Sequence, residues 1–224
     1  MSIAGTATVS GPVAELEHVD GLRVETLHDS QAGVLQAIRR LYLPDGPDAD
    51  VTFSTGGLYR DGTMPLPRLR FDVAPELPGV VLADCRHLPL ASGSLGSILF
   101  DPPFVVACGV NSRIGNRFSC LSTIPLLHAF YREAVREFAR VLRPGGIFVV
   151  KIQDTVSGGK QHRSSIVIWQ AAVAAGFLDE DQFVVRNVSH LRGHNWSCQQ
   201  HARKTHLFWL VFRRRSTLSE RRLA

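Results

Sequence analysis

Ser97-Ile98-Leu99-Phe100-Asp101-Pro102-Pro103-Phe104 is the stretch on which the reading of this chain turns. Its first four residues form a short apolar run of the kind buried in a parallel sheet, and two prolines, which lack N–H groups, end it. Asp101 is thereby delivered at the carboxyl end of a strand, where open α/β sheets bind their ligands. Downstream, Leu127, Phe130, Ala134, Val135, Phe138, Val141 and Leu142 recur at helical spacing, so a helix is expected over residues 124–142 with Ser122 or Thr123 as its cap. Pro144-Gly145-Gly146 stops it and leads into an apolar strand at 147–150. A second helix is expected over 164–175, then two strands near 183–188 and 206–212 with no helix between them, which pair as an antiparallel hairpin at the sheet edge. Upstream, Ser30 caps a helix reaching about Leu43, and 70–73 and 80–84 read as short strands. Apolar strands alternating with amphipathic helices make an α/β fold, a mostly parallel sheet covered by helices on both faces.

Bulk properties bound the rest. The apolar content of 45% is that of a packed globular chain and excludes disorder throughout. No stretch approaches the roughly 18 apolar residues of a membrane span, and Met1 to Gly11 lack the basic start and apolar run of a secretory signal, so a cytoplasmic location and no membrane partner are expected. Cys85, Cys108, Cys120 and Cys198 form no CxxC pair, which favours reduced thiols. A formal charge of +5 permits a polyanionic partner, with Arg213, Arg214, Arg215, Arg221 and Arg222 gathered at the end. The domain reading is a loose lead-in at 1–29, one domain over 30–213 and a basic tail at 214–224.

The residue types after the strand suit one chemistry. An exocyclic amino nitrogen on a base is a poor nucleophile because its lone pair is delocalised into the ring. If both its N–H groups donate hydrogen bonds, the nitrogen moves toward tetrahedral geometry and the lone pair is exposed. Asp101 supplies one acceptor, and the Pro102 carbonyl supplies another, with Pro103 stiffening the turn and Phe104 offering a face for an extruded base. The run resembles the (Asp/Asn/Ser)-Pro-Pro-(Tyr/Phe/Trp) motif of amino-methyltransferases that act on adenine N6, cytosine N4 or, in some RNA enzymes, guanine N2. That resemblance implies S-adenosylmethionine as methyl donor and the Rossmann-like class I methyltransferase fold, a seven-stranded sheet with an antiparallel C-terminal hairpin.

Three upstream segments resemble the donor-binding motifs of that family, and the resemblance runs from residue 50 to about 213. Asp50-Val51-Thr52-Phe53-Ser54-Thr55-Gly56-Gly57 is similar to the first, an acid ahead of a glycine loop, although it is not a GxGxxG and is rich in hydroxyls. It implies Asp50, Thr52, Ser54, Gly56 and Gly57 as contacts to the donor. Asp72 at the end of Arg70-Phe71-Asp72 is similar to the acid that takes ribose hydroxyls, and Asp84-Cys85 to the pair that meets adenine. The small DNA methylase of N4/N6 type is the nearest image.

For the substrate side, Arg113 and Arg117 in the polar stretch after the turn, Lys151 at a strand end, Lys160 in Gly158-Gly159-Lys160-Gln161-His162-Arg163, and Trp196 are candidate contacts to DNA or RNA. Gln153 and Asp154 are weaker candidates for the same cleft. His190, His194, Cys198 and His201 have the spacing of no common zinc site, so no metal is expected. No Ser-His-Asp order or nucleophile elbow supports a hydrolase. Other readings stay open: an RNA base methyltransferase, an enzyme for a small molecule or protein, or an inactive donor-fold subunit. Oligomeric state, target base and recognition sequence are not legible.

Overall fold

The computed structural model describes residues 23–106, 121–186, 201–202 and 204–216. Strands β1 (Leu27–His28), β2 (Ala49–Asp50), β3 (Leu69–Asp72), β4 (Val81–Leu82), β5 (Leu95–Phe100), β6 (Leu142–Ile152), β9 (Phe177–Arg186) and β10 (His206–Arg214) build one eight-stranded sheet in the order β1-β9-β10-β6-β5-β2-β3-β4. Strand β10 runs antiparallel to both its neighbours, and every other pairing in that sheet is parallel. Strands β7 (Thr155–Ser157) and β8 (Lys160–His162) form a separate hairpin. The helices are α1 (Gln31–Leu41), α2 (Ile124–Val141) and α3 (Ser164–Ala174). Among the described residues no helix is long and apolar enough to cross a membrane.

Side-chain alternation along the strands divides the core into two layers. Ile98, Phe100, Phe148, Val150, Leu210 and Phe212 pack with α2 and α3, whereas Leu99, Ile147, Val149, Trp209 and Val211 pack with α1. Both faces of β5 and β6 are therefore buried, which explains their unbroken apolar runs. The caps are local: Ser30 Oγ accepts from Gly33 N at 3.1 Å, and Thr123 Oγ1 accepts from Leu126 N.

Two features depart from expectation. Eight strands are present where seven were read, because Leu27–His28 pairs in parallel outside β9, so the antiparallel hairpin of β9 and β10 lies one strand inside the edge. β9 also begins at Phe177, several residues early. Leu178-Asp179-Glu180-Asp181 looks like a loop, yet its acids are partnered: Trp169 Nε1 donates to Asp179, the Arg213 guanidinium to Glu180 and the Tyr42 hydroxyl to Asp181. The stretch from β2 to β5 holds no α-helix, only a 3-10 turn at Gly57–Tyr59. The outer strands are consequently short and bare, with Leu82 70% exposed.

Candidate active site

Asp101 leaves β5 with two neighbouring strands holding it. Its N–H donates to Thr52 Oγ1 at 2.8 Å from the β2 side. On the other side Phe100 is opposite Val150, so the next pair in register is Asp101 and Lys151, and Lys151 Nζ stands 3.0 Å from Asp101 Oδ2. The two side chains, Lys151 at 15% and Asp101 at 23% exposed, are partly shielded from water, and the Lys151 ammonium also sits 5.9 Å from the centre of the buried Trp209 ring. Pro102 is buried, and the Pro103 carbonyl accepts from the Tyr131 hydroxyl of α2 at 2.7 Å. The turn is thus tied at both ends to the scaffold. Phe104, expected to present a bare face, is half-buried against the core beneath α2 and lines neither cavity described below.

Two cavities meet at this turn, with Thr52, Ser54 and Asp101 in the wall of both. The first, about 180 Å³, has apolar walls that include Val51, Val73, Ala83, Leu121 and Phe130, with Asp72 and Asp84 as its acids besides Asp101. The second, about 300 Å³, lies on the α1 side between Gln31, Asp50, Thr55, Gly57, Arg60 and Lys151. Taken together they fall in the roughly 300–1,000 Å³ range of small-molecule sites.

The loop after β2 shapes the wall they share. Gly56 has φ +66°, and a Cβ there would lie 2.9 Å from Phe53 Cζ, so glycine is required on both counts. Gly57 meets nothing within 4 Å and borders the second cavity. Ser54 alone among the described non-glycine residues has positive φ, at 50°, a conformation that costs on the order of 1 kcal/mol. Its N–H is held by Asp72 Oδ2 at 2.8 Å, while Asp72 Oδ1 accepts from Ala74 N. A carboxylate so held keeps acceptor lone pairs for a ligand in the first cavity.

The remaining acids differ in state. Asp50 is 1% exposed, accepts from the Tyr59 hydroxyl at 2.8 Å and from Thr52 N at 2.9 Å, and burial pushes its carboxyl up to about 7. Tyr59 reaches it by stacking on Phe53. Asp84 is gripped by Arg86, with Nη2 at 2.6 Å, and that hydrogen bond holds it below the usual carboxylate range. Arg86 continues to Glu133 at 3.1 Å and lies over the Phe130 ring. Cys85 lines the first cavity with a buried thiol pushed up to about 12, which makes it a packing group rather than a nucleophile.

Of the expected substrate contacts, Lys151 is bound to Asp101, and Lys160 stands exposed on the β7–β8 hairpin, away from both cavities. Gln153 and Asp154 have scaffold roles instead: Gln153 donates to His206 O, and buried Asp154 accepts from Ser165 N and Oγ to cap α3. Arg113, Arg117 and Trp196 lie outside the described residues, as do Cys108, His190, His194 and Cys198. His201 Nε2 lies 2.8 Å from Gly159 O. Sequence reasoning missed Arg86, Tyr59 and Tyr131. Only Arg86 carried a local signal, the Asp-x-Arg spacing within one turn.

No family model matches the sequence, and no curated protein matches it. Solved structures do. The [4+2]-cyclase SpnF is 15% identical and superposes over 82% of this chain and 81% of its own with a TM-score of 0.51. A complex of the Haloferax volcanii Trm112 methyltransferase activator with a candidate methyltransferase gives 13% identity, 83% and 89% coverage and a TM-score of 0.51. A candidate DNA modification methylase of Thermus thermophilus, solved with S-adenosyl-L-methionine, gives 18% identity, 59% coverage of this chain and a TM-score of 0.43, and about half of its length (54%) is spanned. At such identities the likeness concerns the fold alone, which is Rossmann-like: a mostly parallel sheet with helices and an antiparallel C-terminal hairpin.

Proposed function

We propose that this chain is an S-adenosylmethionine-dependent methyltransferase acting on the exocyclic amino group of a nucleic-acid base. One observation carries the reading: Asp101 stands in the common wall of two cavities, with one carboxylate oxygen held by Lys151. The residues fit the donor. Apolar walls with Asp72 at their edge suit a nucleoside in the first cavity, and the open backbone at Gly57 leaves room for a flexible tail toward the second. Asp84 departs from the family pattern, since Arg86 already grips the carboxylate expected at adenine, and the adjoining Cys85 backbone remains for that contact. The donor, when bound, supplies an electrophilic methyl on a sulfonium.

The chain's own groups do the rest. Lys151 takes Asp101 Oδ2, which fixes the rotamer and leaves Oδ1 to accept one amine N–H. The Pro102 carbonyl accepts the other. Tyr131, by holding the Pro103 carbonyl, keeps that turn at its height above the sheet. The packing of Phe104 into the core favours a second reading, an amine on a smaller molecule that needs no stacking partner.

Incubation with labelled S-adenosylmethionine and DNA, RNA or free nucleosides, followed by nucleoside mass spectrometry, tests both. An N-methylated base from a polynucleotide with wild type and none with Asp101→Ala supports the first reading. Transfer to free nucleosides alone supports the second, and equal transfer by both proteins would remove Asp101 from the mechanism.

A further inference from the structure

Beside the Asp101 turn the first turns of α2 meet the start of α3, into which the β7–β8 hairpin leads. His128 Nε2 lies 3.3 Å from Ser164 Oγ, and its ring centre is 6.2 Å from that of Tyr131, the residue that holds Pro103. Arg132 follows His128 by one helical turn and shares its face. Lys160 and His162 are two residues apart on β8 and so project from one side of it, with Arg163 next, just ahead of α3. Burial, assisted by the charges of Arg132 and His162, keeps the His128 imidazole below its usual pKa.

Among the described residues no carboxylate pairs with these cations. Arg132, Lys160 and Arg163 are exposed. The acids of the region are engaged elsewhere, Glu133 with Arg86 and Asp154 with Ser165. Like charges left together repel one another, and an added polyanion relieves that repulsion while releasing its counterions.

We infer that Arg132, Lys160, His162 and Arg163 form a rim that binds the phosphodiester backbone of a polynucleotide whose target base enters at Asp101. Three elements contribute cations at separate points, which suits a linear row of phosphates better than one compact anion. The rim gives the proposed amino-methylation its strand contact, and the inference rests on that reading. It also assigns Lys160 to the phosphates rather than to the cavity.

The test is fluorescence anisotropy of wild type and the triple variant Arg132→Gln, Lys160→Gln, Arg163→Gln with short labelled DNA and RNA oligonucleotides over a salt series. The triple variant should bind at least roughly tenfold more weakly, and its slope of log K against log salt should be shallower by about 2 to 3. Its affinity for S-adenosylmethionine should match wild type, which also reports an intact fold. If the triple variant melts early, the single variants carry the test, each lowering the slope by about 1. Wild type and variant binding an oligonucleotide with equal slopes would overturn the rim and leave amino-methylation standing. A wild type that binds no oligonucleotide yet methylates a free amine would overturn the polynucleotide reading together with the rim.

Discussion

Asp50 and Asp101 end neighbouring strands of one sheet, and the chain treats them in opposite ways. Asp50 is only 1% exposed, although it borders the second cavity, and meets only neutral donors, the Tyr59 hydroxyl and the Thr52 amide. Asp101 is partly open to two cavities and meets a cation, Lys151. Burial without a counter-charge pushes the first carboxyl up to about 7, whereas the second has an ammonium 3.0 Å from one of its oxygens. Residue type and position at a strand end are shared. What differs is the neighbouring strand: β2 has β5 on one flank and β3 on the other, while β5 is flanked by β6, whose register brings a lysine alongside.

The largest effect expected from this contrast is on stability. Between its ordinary value near 3.8 and about 7, Asp50 keeps a proton in the folded chain that the unfolded chain has lost. Stability therefore falls as pH rises through that window, by on the order of 4 kcal/mol at about 1.36 kcal/mol per pKa unit. Asp84 and Glu137 act with the opposite sign at lower pH, since Arg86 and Arg140 hold them below the usual range. The measurement is accordingly the difference between wild type and Asp50→Asn in denaturant melts from pH 4 to pH 8. The wild type should lose ground relative to the variant as pH rises, and parallel curves would mean that Asp50 is ionised throughout.

Asp101→Asn probes the other member of the pair. The asparagine keeps one carbonyl acceptor but loses the ion pair and can turn an NH₂ toward the amine, so kcat should fall by on the order of 10²–10³. Binding of the methyl donor, measured by calorimetry, should change little. Next in size is Lys151→Ala, which leaves Asp101 untethered: a fall in kcat of about tenfold is expected with an unchanged KM for the donor, and Lys151→Arg should restore part of it. A rise in KM for the polynucleotide with kcat intact would instead return Lys151 to substrate binding.

The same contrast separates what the sequence made legible from what it did not. Strands at 97–100 and 147–150, and helices that end within a residue or two of those expected, followed from periodicity because both faces of the central sheet are buried. Asp72, Asp84 and Asp101 each follow an apolar run, and each stands at or just past a strand's carboxyl end in the wall of the first cavity. Their partners were hidden wherever the contact spans the fold, as with Tyr131 and Pro103, 28 residues apart. An aromatic after two prolines reads alike whether it faces outward or inward, so the partial burial of Phe104 could not be foreseen. The early start of β9 was masked because cross-strand and cross-layer partners give three consecutive acids a place in a strand.

Tyr131→Phe gives the smallest and most discriminating effect. The ring fills the same buried space, so the core beneath α2 keeps its packing and only the hydroxyl is lost. The Pro103 carbonyl then lacks its bond from α2, a net loss of about 1 kcal/mol. If Tyr131 were simply a packing residue, that loss would appear in the melting temperature and nowhere else. As a positioning residue it should also lower kcat severalfold with both KM values unchanged, because the neighbouring Pro102 carbonyl would no longer be held at a fixed height. A wild-type kcat beside a lowered melting temperature would show that the turn's rigidity comes from its prolines alone.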